Sequence, residues 1–186
     1  MRLFVAVPLP DPLATRLEAA AAALAVAGLR TTAREHLHVT VHFLGPVEPA
    51  RVPALTAALA AACAEAEPFS LAFAAVAPAP PRRPRMLWAR AQDSPHYTAL
   101  AHAVAAAAAD AAPGARPPRT TSPHVTLARA RGRGEGVCWP APAALAGVTL
   151  AVGACALVRS DLGPGGPRHT VLATFPLRGG QSPRRR

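Results

Sequence analysis

The sequence predicts a mixed fold of strands and helices, built as two related lobes around a shared cleft. Two observations support this prediction. A strand, a helix and a second strand follow one another twice along the chain, over residues 2–44 and again over 85–130. Each second strand carries the same short motif, His-Val-Thr, at His38 and at His124. We therefore expect each lobe to contribute one motif to the cleft.

The individual elements are placed by apolar runs and by the residues that end them. Short apolar runs that stop at Pro or Gly predict buried strands. A capping residue followed by Pro predicts a helix start at Asp11 and at Ser94. In chain order, the predicted elements are strand 3–9, helix 11–27, strand 36–44, helix 49–66, strands 69–77 and 85–91, helix 95–112, and strands 122–130, 148–160 and 169–177. The stretches between them are predicted loops, and residues 181–186 a disordered basic tail.

The charge of the chain says little about its partner. The formal net charge is +10, and all 20 basic residues are arginine. Arginine without lysine, together with abundant Ala and Pro, is typical of a GC-rich genome. The charge therefore permits and would attract a phosphate-bearing partner, but it does not by itself indicate nucleic-acid binding.

Several classes of protein are disfavoured by the sequence. The cysteines Cys63, Cys138 and Cys155 are few and widely spaced and form no CxxC, so neither a disulfide framework nor a structural zinc site is expected. The first residues are too short and Pro-broken for a secretory signal, and the alanine run at 17–29 is too short to span a membrane. We expect a cytoplasmic monomer without a membrane segment, with residues 1–180 forming one bilobal domain.

The two motifs suit phosphodiester chemistry. Side chains i and i+2 share one face of a strand, so His38 lies beside Thr40, and His124 lies beside Thr126. One imidazole can take a proton from an attacking water while the other gives one to a leaving sugar oxygen. Threonine hydroxyls can donate to the phosphate oxygens. The motif alone also fits two strand histidines with satisfied hydrogen bonds, and the repeated strand–helix–strand setting favours function.

Longer stretches around both motifs resemble a known family. His38-Val-Thr-Val-His-Phe-Leu-Gly45 and Pro123-His-Val-Thr-Leu-Ala-Arg129 look like the two signatures of the two-histidine phosphoesterase superfamily. Within it the chain most resembles the RNA 2′,3′-cyclic phosphodiesterases, also called LigT-like proteins or 2′-5′ RNA ligases. The opening strand, the strand at Pro84-Arg-Met-Leu-Trp-Ala89 and the closing hairpin are also similar to that family. The resemblance covers most of the chain.

This resemblance implies a fold, a reaction and residue roles. The fold is α+β and bilobal, with pseudo-symmetric antiparallel sheets lining a cleft and helices outside. The reaction is hydrolysis of an RNA 2′,3′-cyclic phosphate, tRNA fragments included, to a 2′-phosphate without metal or nucleotide cofactor; reverse 2′-5′ ligation is possible. His38 would be the proton donor to the leaving 3′-oxygen and His124 the acceptor that activates water. Thr40 and Thr126 would bind the phosphate.

Other residues are assigned by the alternation of side chains along a strand. His36 and His42 are predicted on the face of His38, and His42 is a candidate phosphate ligand. Alternation puts Phe43 in the core and Arg129 on the far side of its strand, yet the family's motif carries this arginine, so Arg129 is also a candidate phosphate ligand. No carboxylate near the three histidines completes a metal site. Trp88 is predicted as core, and His169 stands where the family often has Tyr. Four loop arginines would contact an RNA backbone if they line the rim of the cleft: Arg82, Arg83, Arg131 and Arg133.

Two other functions fit the same residues. One is a phosphodiesterase on a small cyclic phosphate or a 2′-5′ oligonucleotide. The other is a non-catalytic RNA-binding protein that retains the cleft, although a binder has no need for both histidines and both threonines.

Overall fold

A computed structural model of the chain describes residues 1–24, 26–115, 122–132, 136–163 and 166–180. The basic tail predicted over residues 181–186 and the loop residue Arg133 lie outside this part of the chain. The elements, in order, are β1 (Arg2–Pro8), α1 (Asp11–Ala23), β2 (Leu29–Thr31), β3 (His38–Pro46), α2 (Val52–Glu65), β4 (Phe69–Ala79), β5 (Met86–Ala91), α3 (Pro95–Ala108), β6 (His124–Ala130), β7 (Ala143–Ala144), β8 (Thr149–Val152), β9 (Ala154–Gly163) and β10 (Gly166–Pro176).

Most predicted elements are present with shifted ends. The first helix begins after Pro10 rather than being capped by Asp11, and it stops at Ala23. The predicted strand over 148–160 is interrupted at Gly153 and forms β8 and β9, which pair with different strands. The short strands β2 and β7 were not predicted, because two or three residues carry no periodic signal.

The strands form an open antiparallel sheet in the order β10-β9-β1-β3-β6-β5-β4-β7, with β2 attached to β6 and β8 attached to β4. The predicted α+β class with antiparallel sheets is confirmed. The first strand–helix–strand unit supplies β1 and β3, and the second supplies β5 and β6. These halves meet at β3 and β6, which pair at Val39 opposite Val125.

The two halves share one hydrophobic core. Helix α3, from the second unit, packs behind β3 of the first, and helix α1, from the first unit, contacts β6 of the second. Leu17, Val39, Leu59, Val104 and Val125 are among the fully buried residues of this core. The β3–β6 junction is therefore packed on its core face by one helix from each unit.

The opposite face of the sheet carries a second, smaller apolar cluster: Phe4, Ala6, Ala156 and Val158. Strand β1 is therefore buried on both faces, which explains why its five central residues are all apolar. This second face is the one on which the motif residues lie.

Candidate active site

The two His-Val-Thr motifs abut where the halves of the sheet join. With Val39 opposite Val125, the flanking positions place His38 across from Thr126 and Thr40 across from His124. Val39 and Val125 point into the core, so the four polar side chains share the other face. Diagonal residues on neighbouring strands have side chains about 7–8 Å apart, so the two imidazoles flank a space that suits one phosphate group.

Both imidazoles are held by the same backbone contact. His38 Nδ1 lies 2.7 Å from the carbonyl oxygen of His36, and His124 Nδ1 lies 3.1 Å from that of Ser122. A carbonyl oxygen only accepts, so each Nδ1 carries a proton and donates it. This leaves Nε2 of each ring to exchange a proton with a bound molecule.

A β-bulge in β3 overturns two predictions made from strict alternation. Val5 pairs with His42 and Ala6 pairs with Thr40, so Val41 is an extra residue and the alternation reverses after it. His42 therefore lies opposite Val5 on the core face and is 4% exposed, so it does not share the face of His38 as predicted. Phe43, predicted to be core, is instead 63% exposed and lies opposite Phe4 on the motif face.

A second bulge, at the matching place in β6, does the same for Arg129. Leu87 pairs with Ala128 and Trp88 pairs with Thr126, so Leu127 is the extra residue. Leu127 and Ala128 are both buried, and Arg129 returns to the face of His124 and Thr126. Strict alternation had put Arg129 on the far side; the bulge is the physical reason that this was wrong.

Arg129 lies within electrostatic reach of both histidines. Its charge lowers the pKa of His38 and of His124. The guanidinium Nη1 is 3.0 Å from the sulfur of Met86, and Arg30 is its cross-strand neighbour on β2. Phe43 and Arg129 occupy equivalent positions, five residues after each histidine, so the pseudo-symmetric site has one apolar and one cationic flank.

His38 is surrounded by aromatic rings. The centroid of Phe4 lies 4.9 Å from that of His38 and the centroid of His169 5.4 Å, with His169 edge-on. His169 also lies 4.6 Å from the ring of His36, which belongs to a 3₁₀ turn before β3 rather than to the strand. Burial is the main cause that holds the pKa of His38 at about 4; the bond to the His36 carbonyl opposes it, and the charges of His169, Arg129 and His36 add to it.

The β9–β10 hairpin brings His169 to this position. At the start of β10, Gly166 lies beside the guanidinium of Arg30 on β2. Gly166 has a φ of 114°, a left-handed backbone conformation that favours glycine. The hairpin thus forms one side of the site, which the sequence indicated only as a family resemblance.

His124 has a different neighbour. Trp88, which was predicted as core, lies on the motif face and stacks on the His124 ring, with centroids 3.7 Å apart and planes 19° apart. Arg90 is the residue opposite His124 on β5. The pKa of His124 is lowered chiefly by burial, with the charges of Arg129 and Arg90 acting in the same direction and the bond to Ser122 opposing them.

Sequence reasoning missed four contributors to this site: Phe4, Phe43, Trp88 and Arg90. The sequence did carry a signal for Trp88 and Arg90, since alternation along β5 puts both side chains on one face. Nothing local marked Phe43, because the bulge depends on pairing with β1. Within the described ranges no group of three His, Cys, Asp or Glu residues is arranged to hold a metal ion, and no helix is long and apolar enough to cross a membrane.

Comparison with known proteins agrees with this geometry. A family model described as the 2′-5′ RNA ligase superfamily matches residues 9–163. A Thermus thermophilus protein named RNA 2′,3′-cyclic phosphodiesterase is 32% identical over 96% of this chain and 91% of its own length. A crystal structure of a Thermus thermophilus protein has a TM-score of 0.85 at 30% identity, covering 97% of this chain and all of that one. Escherichia coli LigT complexed with 3′-AMP has a TM-score of 0.75 at 26% identity, covering 95% and 96%.

The sheet order, the paired motifs and the sequence similarity over nearly the whole chain lead to one assignment: the chain belongs to the 2′-5′ RNA ligase superfamily.

Proposed function

We propose that this protein hydrolyses the 2′,3′-cyclic phosphate at the end of an RNA to a 2′-phosphate. The observation that carries the proposal is the meeting of β3 and β6 at Val39 and Val125, which brings both His-Val-Thr motifs to one face. The relative from Thermus thermophilus is named for this activity, and Escherichia coli LigT has been crystallised with 3′-AMP.

The reaction proceeds by a paired proton transfer. His124 Nε2 takes a proton from water, and the oxygen attacks phosphorus as the bond to the 3′-oxygen breaks. His38 Nε2 gives its proton to the leaving 3′-oxygen, and the product is a 2′-phosphate with a free 3′-hydroxyl. Thr40, Thr126 and Arg129 donate hydrogen bonds to the non-bridging oxygens and hold the phosphate in line. The two protonation states then reset by exchange with solvent.

The substrate itself helps to charge the proton donor. In the protein alone the pKa of His38 is about 4, so its ring is neutral at neutral pH. A phosphate anion between the imidazoles favours the cationic form and raises that pKa. The His38 cation formed in this way can give its Nε2 proton to the leaving 3′-oxygen.

The two flanks of the site support a nucleotide substrate. Phe43 offers an exposed ring beside Phe4, with centroids 6.0 Å apart, where a base can stack. Arg129, Arg30 and Arg90 lie on the other flank, where a further phosphate of the RNA can bind. His42 has no place in this scheme, because its side chain faces the core.

The test is hydrolysis of an RNA ending in a 2′,3′-cyclic phosphate, with EDTA present and the product identified by ³¹P NMR. We expect a 2′-phosphate. His38→Ala or His124→Ala should slow turnover by about 10²–10⁴-fold. His102→Ala, on the exposed face of α3, is the matched control. A 3′-phosphate product, a strict metal requirement or near-normal turnover in either motif variant would contradict the proposal.

The same assay separates the alternatives. Faster turnover of a mononucleoside cyclic phosphate or of a 2′-5′-linked oligonucleotide than of a tRNA half would indicate the smaller substrates. Salt-sensitive RNA binding without turnover would indicate a non-catalytic binding protein. Formation of a 2′-5′ linkage from the two product ends would demonstrate the reverse reaction.

We further propose that residues 1–180 act as one bilobal domain, in a cytoplasmic monomer. Light scattering of the purified protein and fractionation of the source cells test these two statements.

A further inference from the structure

The two catalytic histidines share a motif and a backbone contact but differ in what lies against their rings. The register makes Ala6 on β1 equivalent to Trp88 on β5, since Ala6 lies opposite Thr40 and Trp88 lies opposite Thr126. Only His124 therefore has a large flat ring at this position. The rings around His38 approach it tilted or edge-on instead, at 33° for Phe4 and 71° for His169.

The contact between Trp88 and His124 is a close parallel stack. The ring centroids are 3.7 Å apart and the planes differ by 19°. The indole Nε1 is buried and has no hydrogen-bond partner among the described residues. A buried, unpaired N–H costs free energy that an apolar side chain at this position would avoid. The benefit of tryptophan here must therefore come from its ring face.

A ring face of this kind favours a cation. The negative quadrupole of an indole attracts a positive charge placed over it, most strongly when water is excluded. The charged groups that face His124 are Arg90 from β5 and Arg129 from β6, and both oppose a positive imidazole. Helix α3 and strand β3 contribute no acidic side chain on this face within the described residues. Besides the Ser122 carbonyl, which accepts a hydrogen bond from Nδ1, the indole face of Trp88 is the group placed to offset the two arginines.

We propose that Trp88 is a positioning residue of the second motif: its indole face fixes the His124 ring and stabilises the imidazolium that forms when His124 takes a proton from water. The inference rests on the proposed function. It also gives the reaction a direction. His124 has a ring face that favours gaining a proton, whereas His38 is buried beside His36 and His169, whose charges favour losing one.

The primary test measures His124 without substrate. In a Trp139→Phe background, Trp88 is the single tryptophan, and fluorinated tryptophans of increasing fluorine content weaken its quadrupole with little change in shape. The His124 Cε1–H signal is followed by NMR through a pH titration and assigned by its loss in His124→Gln. We expect the His124 pKa to fall with each added fluorine. A pKa that stays constant across the series would overturn the proposal.

The second test uses turnover. Trp88→Leu should reduce kcat by about 3- to 30-fold with little change in KM, and should move the limb of the pH–rate profile that reports His124. Trp88→Phe, which restores an aromatic face, should recover most of the loss. Equal losses in both variants with an unmoved pH profile would mean that Trp88 only fills space, and would refute the inference.

The two arms keep this inference separate from the proposed function. If the protein hydrolyses no cyclic phosphate, the proposed function fails while the fluorination series still reports on the stack. If hydrolysis is normal and the pKa of His124 stays constant across the fluorination series at Trp88, only the inference fails. Should Trp88→Leu unfold the protein, as judged by circular dichroism, the fluorinated series decides alone, because it preserves the packing.

Discussion

Arg129 gives the most direct test of how the bulge in β6 shapes the site. Without the bulge its side chain would face away from His124; with it, the guanidinium lies on the motif face and its charge acts on both histidines. Arg129→Gln removes the charge and keeps a shorter, polar side chain. Two effects should follow, one on binding of the phosphate and one on the histidines.

The size of the first effect can be worked from the interaction lost. A hydrogen bond to a charged group contributes about 1.5–3 kcal/mol, which corresponds to about 10- to 150-fold in kcat/KM. The second effect is on the pKa values of the two histidines in the protein without substrate. Loss of a nearby positive charge should raise the pKa of His38 and of His124, because the Arg129 charge lowers both.

The assay combines steady-state hydrolysis with an NMR titration of the two imidazoles. Arg168→Gln is the matched control, since it removes one positive charge from the exposed side of β10, next in sequence to His169. Unchanged kcat/KM in Arg129→Gln, or histidine pKa values that fall, would refute the assignment of Arg129 to the site. An equal loss in Arg168→Gln would show that only the overall charge matters.

Three further outcomes are expected. Acid should destabilise the fold, because the pKa of His38 is about 4 in the folded protein and 6.5 in the unfolded chain; the free energy of unfolding is full above pH 6.5 and falls by roughly 3 kcal/mol as the pH drops towards 4. Urea unfolding at several pH values should show a shallower loss of this free energy in His38→Gln. Equal slopes in the two proteins would contradict this. Tyr97→Phe should cost about 1 kcal/mol in thermal unfolding, because the Tyr97 hydroxyl donates a 2.6 Å bond to the Thr40 carbonyl from behind β3; an unchanged melting temperature would argue against that bond. His42→Leu should leave kcat/KM within about threefold of wild type, because a core-facing ring adds nothing to transition-state binding; a loss as large as that of His124→Ala would restore His42 to the site.

The sequence alone was enough to mark the four central residues of the candidate site. His38, Thr40, His124 and Thr126 are marked by a short motif, and alternation places each His with its Thr because only one residue separates them. The repeat of strand, helix and strand indicated that the motifs belong to related units. These signals are local or nearly so, and the structure confirms the antiparallel α+β class that the family resemblance implied.

The tertiary structure decided everything that depends on how strands pair. A bulge exists only relative to a partner strand, so β1 sets the position of Phe43 and His42, and β5 sets that of Arg129. The same pairing puts Trp88, at the position that Ala6 holds on β1, against the ring of His124. Residues i and i+2 follow from the chain itself, whereas residues beyond an inserted residue follow from register, which is set by contacts far apart in sequence.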